Sequence, residues 1–337
     1  MSERRVVVTG AGGFVGVNIV RGLAERGWRV TATARRTPDA LIDAYLASVA
    51  PNVEWRLGDS TSERWLESVT RDVRPHGFVH AAAITPTSSV ERDATRSVID
   101  TNLTATVGVL EIVRSLRVPR LVFASSTGVY VGSSTGAPRS EDEAVRGHNL
   151  YSVCKIASEA LLRTYVRVHG LSACSVRIGS VYGPMERPSG SRTGLSVVAR
   201  LLPWALARGH LRVAGAAVRR DLIHASDVAG ALDAILRVPR LEHDVLNLGS
   251  AVAYPIGDVL GTLGSVSGAT WSLAPEDEAD EAWGPADHRD GLDQHRLTDG
   301  VGWTHRVELY AGLHDTLRWH ALGDDLDAIA AYQGGTG

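Results

Sequence analysis

Near the start of the chain a short apolar run, Arg5 to Thr9, breaks into Thr9-Gly10-Ala11-Gly12-Gly13-Phe14-Val15-Gly16. It continues into a stretch, Phe14 to Arg26, with Val15, Ile19 and Leu23 at helical spacing. A strand, a glycine turn and a helix in that order constrain the fold more than any other feature. Gly10 permits the tight turn, Gly13 lets backbone N–H groups approach a pyrophosphate, and Gly16 lets the helix pack closely on the sheet. The helix N-terminus then faces the anion. A glycine-rich turn with no ligand is the bland alternative, and the strand–turn–helix context argues against it.

The alternation continues. Strand-like runs at 29–34, 53–57, 77–82, 120–125 and 172–178 are separated by helical patterns, the clearest at 94–116 and 151–169. Strands alternating with helices imply right-handed βαβ units and a doubly wound parallel Rossmann-type α/β sheet. After Gly179 the alternation loosens. Gly183-Pro184 and Pro188 mark a loop, 195–207 looks helical, and a helix over 227–238 opens with Asp227. The chain therefore divides into a dinucleotide-binding domain, 1–178 with returning segments near 220–250, and a smaller C-terminal substrate lobe, 179–330. The acidic run from Pro275 to Glu281 reads as solvated surface.

Composition excludes several classes. With a formal net charge of −3 among 337 residues there is no basic field for nucleic acid or anionic lipid. Cys154 and Cys174 make no disulfide framework and lack zinc spacing, so no metal is expected. A strand-like segment by Val6 leaves no room for a signal peptide. The most apolar later stretch, 197–207, is broken by Arg200 and Pro203, so no membrane span is expected. The expected location is the cytoplasm. Lys155 is the single lysine among 35 basic residues. Lysine is a compact, titratable ammonium where arginine is a planar, permanently charged fork, so a chemical role at this position is expected. Tyr151 precedes it by one helical turn, about 6 Å along the axis.

The motifs fall in a distinctive order. The spacing Gly10-x-x-Gly13-x-x-Gly16 is followed by Gly58-Asp59, His80-Ala81-Ala82-Ala83, Asn102 and Ser125-Ser126-Thr127-Gly128-Val129-Tyr130. Next come Tyr151-x-x-x-Lys155, Arg177-Ile-Gly-Ser180-Val-Tyr-Gly-Pro184, Arg220-Asp-Leu-Ile-His224 with Asp227-Val-Ala, Asn247-Leu-Gly and Gly302-Trp303. This order resembles the extended short-chain dehydrogenase/reductase family, also called the NAD-dependent epimerase/dehydratase family, along nearly the whole chain.

The resemblance implies a catalytic set of Ser126, Tyr151 and Lys155. A phenol with an ordinary pKa of about 10 is a poor base, and a neighbouring ammonium is expected to lower it. Tyr151 then exchanges a proton with a carbinol oxygen while hydride moves to or from nicotinamide. Ser126, three residues before Val129, is the expected partner of the reacting oxygen, with Ser125 its competitor. Cofactor contacts are expected from Gly10, Gly13, Phe14, Val15, Gly16, Asp59, Ser60, Ala81, Ala82, Ala83, Asn102, Tyr151, Lys155 and Ile178. The acidic residue that NAD-selective members carry after the second strand falls at Ala34, followed by Arg35 and Arg36. Two guanidiniums there suit a 2′-phosphate, so NADP is favoured, with NAD the alternative.

Substrate contacts are expected from Ser126, Thr127, Ser180, Arg187, Arg192, Arg220 and Arg289, with Arg220 gripping a diphosphate and an ion pair with Asp221 as its structural alternative. Thr127-Gly128 replaces the Asp-Glu pair of family dehydratases. That leaves hydride and proton transfer: an NAD(P)-dependent oxidoreductase or epimerase acting on a secondary carbinol, in the leading reading that of a nucleotide-sugar. An NADPH-dependent carbonyl reductase or dehydrogenase on a non-nucleotide substrate is the alternative, and a cofactor-binding regulator without turnover a third. The resemblance also implies a homodimer through the helices at 94–116 and 151–169.

Overall fold

The computed structural model describes residues 3–85, 93–130, 136–189, 192 and 194–334. Seven strands form the central sheet: β1 (Arg5–Thr9), β2 (Arg29–Ala34), β3 (Val53–Leu57), β4 (Gly77–His80), β5 (Leu121–Ser126), β6 (Ala173–Ile178) and, after three strands of other sheets, β10 (Val245–Leu248). Their order is β10-β6-β5-β4-β1-β2-β3, and every pairing is parallel. Side chains alternate across this sheet with the period of two that a strand dictates. Val6, Val8, Val79 and Val122 pack with Val17, Val20 and Leu23 of the helix Phe14–Glu25 and with Leu232 and Ile235 of the helix Ala225–Arg237. Val7, Phe78, Leu121 and Phe123 pack on the other face with Leu66, Val109, Ile112 and Leu162. Both faces are therefore covered, as a doubly wound sheet requires.

The remaining strands build two small sheets. The strands β7 (Ser180–Tyr182), β9 (Arg219–His224) and β11 (Ala253–Pro255) form one, in the order β11-β9-β7. The strands β8 (His210–Ala214), β12 (Thr270–Leu273) and β13 (Glu281–Ala282) form the other, in the order β12-β8-β13. Helices Val197–Leu206, Ile256–Ser267 and Leu309–His320 close a separate core with Leu201, Leu202, Val213, Leu260, Leu263 and Leu313. Among the described residues no helix is long and apolar enough to cross a membrane.

Three segments differ from the sequence reading. The helix expected over 94–116 is interrupted: Thr95–Ile99 and Ala105–Ser115 are α-helical, and Asp100–Thr104 is a π-turn. There the Asn102 carbonyl accepts from the Ser158 and Thr106 hydroxyls, an insertion of side chains into the helical ladder. The helix expected from Asp227 begins at Ala225, because the His224 side chain accepts from the Ser226 amide as its cap. Asp227 instead accepts from the amides of Arg306 and Val307. In the acidic run, Glu276–Glu278 is an exposed turn and Asp280 an exposed partner of Arg212, as expected of solvated surface, but Glu281 is half-buried in β13 and pairs with Arg200.

Candidate functional site

The glycine turn lies where the sheet order reverses, between β1 and β4. Gly10 has a φ of +71°, and a Cβ there would stand 2.6 Å from the Ala82 Cα. A Cβ on Gly16 would stand 2.0 Å from the Gly10 carbonyl oxygen, so Gly16 is required by the loop's own turn rather than by packing of the helix on the sheet. The Gly13 amide donates to the Gly10 carbonyl, and Gly13 opens the helix Phe14–Glu25, which has no side-chain cap and no acidic residue in its first turn. This bare helix N-terminus above a glycine cradle fits the diphosphate of a dinucleotide. Val15 is half-buried on the same turn.

The rest of the expected cofactor groove surrounds this turn. Ala34 ends β2 with its Cβ 3.6 Å from where a Gly12 Cβ would lie, and Arg35 and Arg36 follow, both exposed. Neither guanidinium has an ion-pair partner among the described residues. Gly58 is covered by the Trp65 ring. Asp59 is exposed and accepts from the Thr61 amide, with Ser60 half-buried beside it. Ala82 is buried, and Ala81 and Ala83 are half-buried. Asn102 departs from expectation. Its side chain donates to the Ile84 carbonyl and accepts from the Ile84 amide, both at 2.8 Å, so it clasps the loop beyond β4 and is a positioning residue.

Ser125 and Ser126 separate cleanly at the end of β5. The Ser125 hydroxyl donates to Glu159 at 2.5 Å. Glu159 holds Arg177 at 2.8 Å in a buried ion pair, Arg177 donates to the Tyr130 hydroxyl, and that hydroxyl donates to Asn247. Ser125 thus belongs to a buried network, which explains the Arg177 and Asn247 of the motif series. Ser126 lies in register with Ile178 of β6. Its hydroxyl oxygen accepts from the Gly128 amide at 3.0 Å and is hydrogen-bonded to Tyr151.

Tyr151 and Lys155 share a face of the helix Leu150–His169, whose N-terminus is fixed by a capping box between Asn149 and Ser152. Their electrostatics differ from the expectation. Burial raises the Tyr151 phenol above its ordinary value; hydrogen bonds from Ser126 and Thr85 and the charge of Arg192 oppose the rise. Lys155 is turned inward. Its Nζ donates to the Ala124 carbonyl at 2.6 Å and lies 5.6 Å from the Tyr151 ring centroid. Burial pushes its pKa down to about 8, with Glu159 opposing. The ammonium is committed to a backbone carbonyl, so it is not the group that lowers the phenol in this arrangement. Cys154 is buried, as a packing thiol should be.

Beyond Ser126 a pocket of about 260 Å³ is lined by Thr127, Ser180, His148, His288 and Arg289, among others. Arg220 approaches from β9 with a side chain 16% exposed, 3.2 Å from Asp287. Burial, and then the charge of Arg289, push its pKa down to about 10 while Asp287 opposes. Arg289 itself donates to the Ala286 and His288 carbonyls and feels the Asp287 charge at a distance, so two guanidiniums stand near one carboxylate, an arrangement suited to a diphosphate. Asp221, on the opposite face of β9 from Arg220, is the β9 residue that lines the pocket; it accepts from the Ser250 and Leu292 amides and is not the partner of Arg220. Two of the expected substrate residues are held by ion pairs. Arg187 pairs with Asp39 at 2.5 Å, beyond β2. Arg192 pairs with the buried Glu186 at 2.6 Å and lies over the Phe14 ring, on the side of the glycine turn. Thr85, Glu186 and Asp287 join the site without any spacing or motif that marks them in the sequence.

The model of the NAD dependent epimerase/dehydratase family matches residues 6–249. The chain is 28% identical to a dTDP-4-dehydro-6-deoxy-D-allose reductase of a Streptomyces species, over 95% of this chain and 97% of the relative. It is also 28% identical to a UDP-glucose 4-epimerase of Streptomyces lividans, over 78% of this chain and 81% of that one. A crystal structure of the Thermus thermophilus UDP-glucose 4-epimerase in complex with NAD superposes with a TM-score of 0.77 at 26% identity, covering 95% of this chain and 99% of the other.

Proposed function

Because the chain belongs to the NAD dependent epimerase/dehydratase family, we propose that it is an NAD(P)-dependent epimerase acting on a secondary carbinol of a nucleotide-sugar. The observation that carries this reading is the Arg220–Asp287 ion pair with the Arg289 guanidinium close by, Arg289 lining one pocket with Thr127, the residue that follows Ser126. When bound, the nicotinamide supplies a hydride acceptor and donor. Tyr151 in its phenolate form, which the positive charge of an oxidised nicotinamide would favour, takes the hydroxyl proton of the carbinol as its C–H hydride leaves, and returns it when hydride comes back to the opposite face. Ser126 hydrogen-bonds the same oxygen, and Lys155, which holds the strand end at Ala124, would hold the nicotinamide ribose. Gly10, Gly13, Phe14, Val15 and Gly16 hold the cofactor diphosphate, with Asp59, Ser60, the three alanines 81–83 and Ile178 along the groove. Residues 1–178, with the segments near 220–250, bind the cofactor, and 179–330 bind the sugar.

NADP is the preferred cofactor in this proposal, supported by Ala34 and the exposed Arg35 and Arg36; the solved Thermus relative holds NAD. The chain works in the cytoplasm as a homodimer. Helices Ala105–Ser115 and Leu150–His169 lie side by side, bridged by Tyr165 and Glu111, and expose Val107, Val153 and Val168. A net reductase is the second reading, favoured by the allose reductase relative. Cofactor accounting separates the two. Denatured protein that releases stoichiometric NADP⁺ or NAD⁺, with interconversion of a UDP-sugar and no net cofactor consumption, is the expected result. An empty protein that consumes added NADPH with a keto-sugar overturns the epimerase in favour of the reductase.

A further inference from the structure

Arg192 stands at an unusual crossing. Its backbone forms a bridge with Thr85, just past β4. Its guanidinium carbon lies 5.2 Å from the Phe14 ring centroid, at the first position of the uncapped helix. One terminal nitrogen is anchored on the deeply buried Glu186, which also accepts from the Ser196 amide and hydroxyl. The Arg192 Nε, by contrast, is buried with no hydrogen-bond partner. A buried donor left unpaired is unfavourable unless something absent from the free protein accepts from it.

We propose that Arg192 is a cofactor-binding residue, a clamp that closes on the diphosphate of the dinucleotide from above the glycine turn, with Phe14 as its stacking platform and Glu186 as its anchor. The inference rests on the dinucleotide-binding reading but not on the epimerase reading. It assigns Arg192 to the cofactor and away from the sugar diphosphate, which the Arg220–Arg289 pair serves. The uncapped amides of the helix would hold one side of a diphosphate, and the arginine fork over Phe14, its Nε–H still unpaired, would meet the other side. Its charge also acts on the Tyr151 phenol, so the same side chain links the cofactor groove to the proton carrier. An enzyme that returns hydride to the carbon it came from has to retain its cofactor between the two transfers, and a clamp of this kind slows its escape.

The test uses the full chain and titrates NADP⁺, NAD⁺, ADP-ribose and UDP by calorimetry against wild type, Arg192→Gln and Arg192→Lys. The lysine variant keeps a charge opposite Glu186 and so keeps the fold, but lacks the planar fork and the Nε–H. Both variants are expected to bind the dinucleotides and ADP-ribose at least about tenfold more weakly, in line with loss of a charge-assisted hydrogen bond, while UDP affinity changes less than about twofold. Dinucleotide affinity unchanged in Arg192→Lys, or UDP affinity falling in place of it, overturns the proposal. Weakened dinucleotide binding with ADP-ribose unaffected also overturns it, by placing the contact on the nicotinamide half. A wild-type protein that binds UDP but no dinucleotide defeats the cofactor reading itself and the clamp with it.

Discussion

Burial and hydrogen bonding pull the Tyr151 phenol in opposite directions, and its position as proton carrier depends on that balance. Tyr151→Phe keeps the ring and removes the proton. Turnover is expected to fall at least about 100-fold, in line with general acid–base contributions, while dinucleotide affinity measured by calorimetry stays within a few fold; near-normal turnover removes Tyr151 from the mechanism. Lys155 makes a prediction about pH. Its folded pKa near 8 lies below its ordinary value of 10.5. Between those values the unfolded chain keeps a proton that the folded chain has released, so stability rises with pH across that window. The urea midpoint of wild type should therefore gain on that of Lys155→Met between about pH 8 and 10, and a wild type that loses ground contradicts the burial. Arg177 makes a third. Arg177→Leu leaves Glu159 buried without its cation, and is expected to lose about 3–5 kcal/mol of unfolding free energy in urea titrations.

At the level of elements, the loop beyond β4 hangs on one side chain. Asn102→Ala orphans the amide and carbonyl of Ile84. It is expected to destabilise by about 1–3 kcal/mol and to weaken dinucleotide binding through a loosened 81–85 segment, with both read from the same calorimetric series. The π-turn that presents Asn102 is not legible in the sequence, because the apolar spacing of Ile99, Leu103 and Leu110 is that of any helix, and the deciding groups, Ser158 and Ile84, are distant along the chain. Strands β2 and β3 are legible to the residue, since Val30 to Ala32 and Val53 to Leu57 sit between turn signals and face buried helices. Strands β8 and β12 are not: Leu211 and Val213 or Trp271 and Leu273 alternate with polar residues over only five and four positions, too little periodicity to separate from loop. The glycine turn, Ser126, Tyr151 and Lys155 are legible because local geometry demands those residue types. The directions of Arg187, Arg192 and Lys155 are set by Asp39, Glu186 and Ala124, partners that no spacing in the chain relates to them.

For the whole molecule, two faces of one sheet are sealed by different sets of helices, and the set containing Leu150–His169 carries both the proton carrier and the proposed contact between protomers. Light scattering at micromolar concentration is expected to give twice the mass of the 35.9 kDa chain, and Val107→Glu with Val168→Glu to return it to one; a monomeric wild type refutes the dimer. The same helix holds Lys155, only 2% exposed and the sole side-chain amine among 337 residues. An acylating reagent added to the native protein consequently meets no accessible ε-amine. The slow appearance of a modified Lys155 by mass spectrometry becomes a clock for how often this helix parts from β5, a label that reports on one place without any engineered tag.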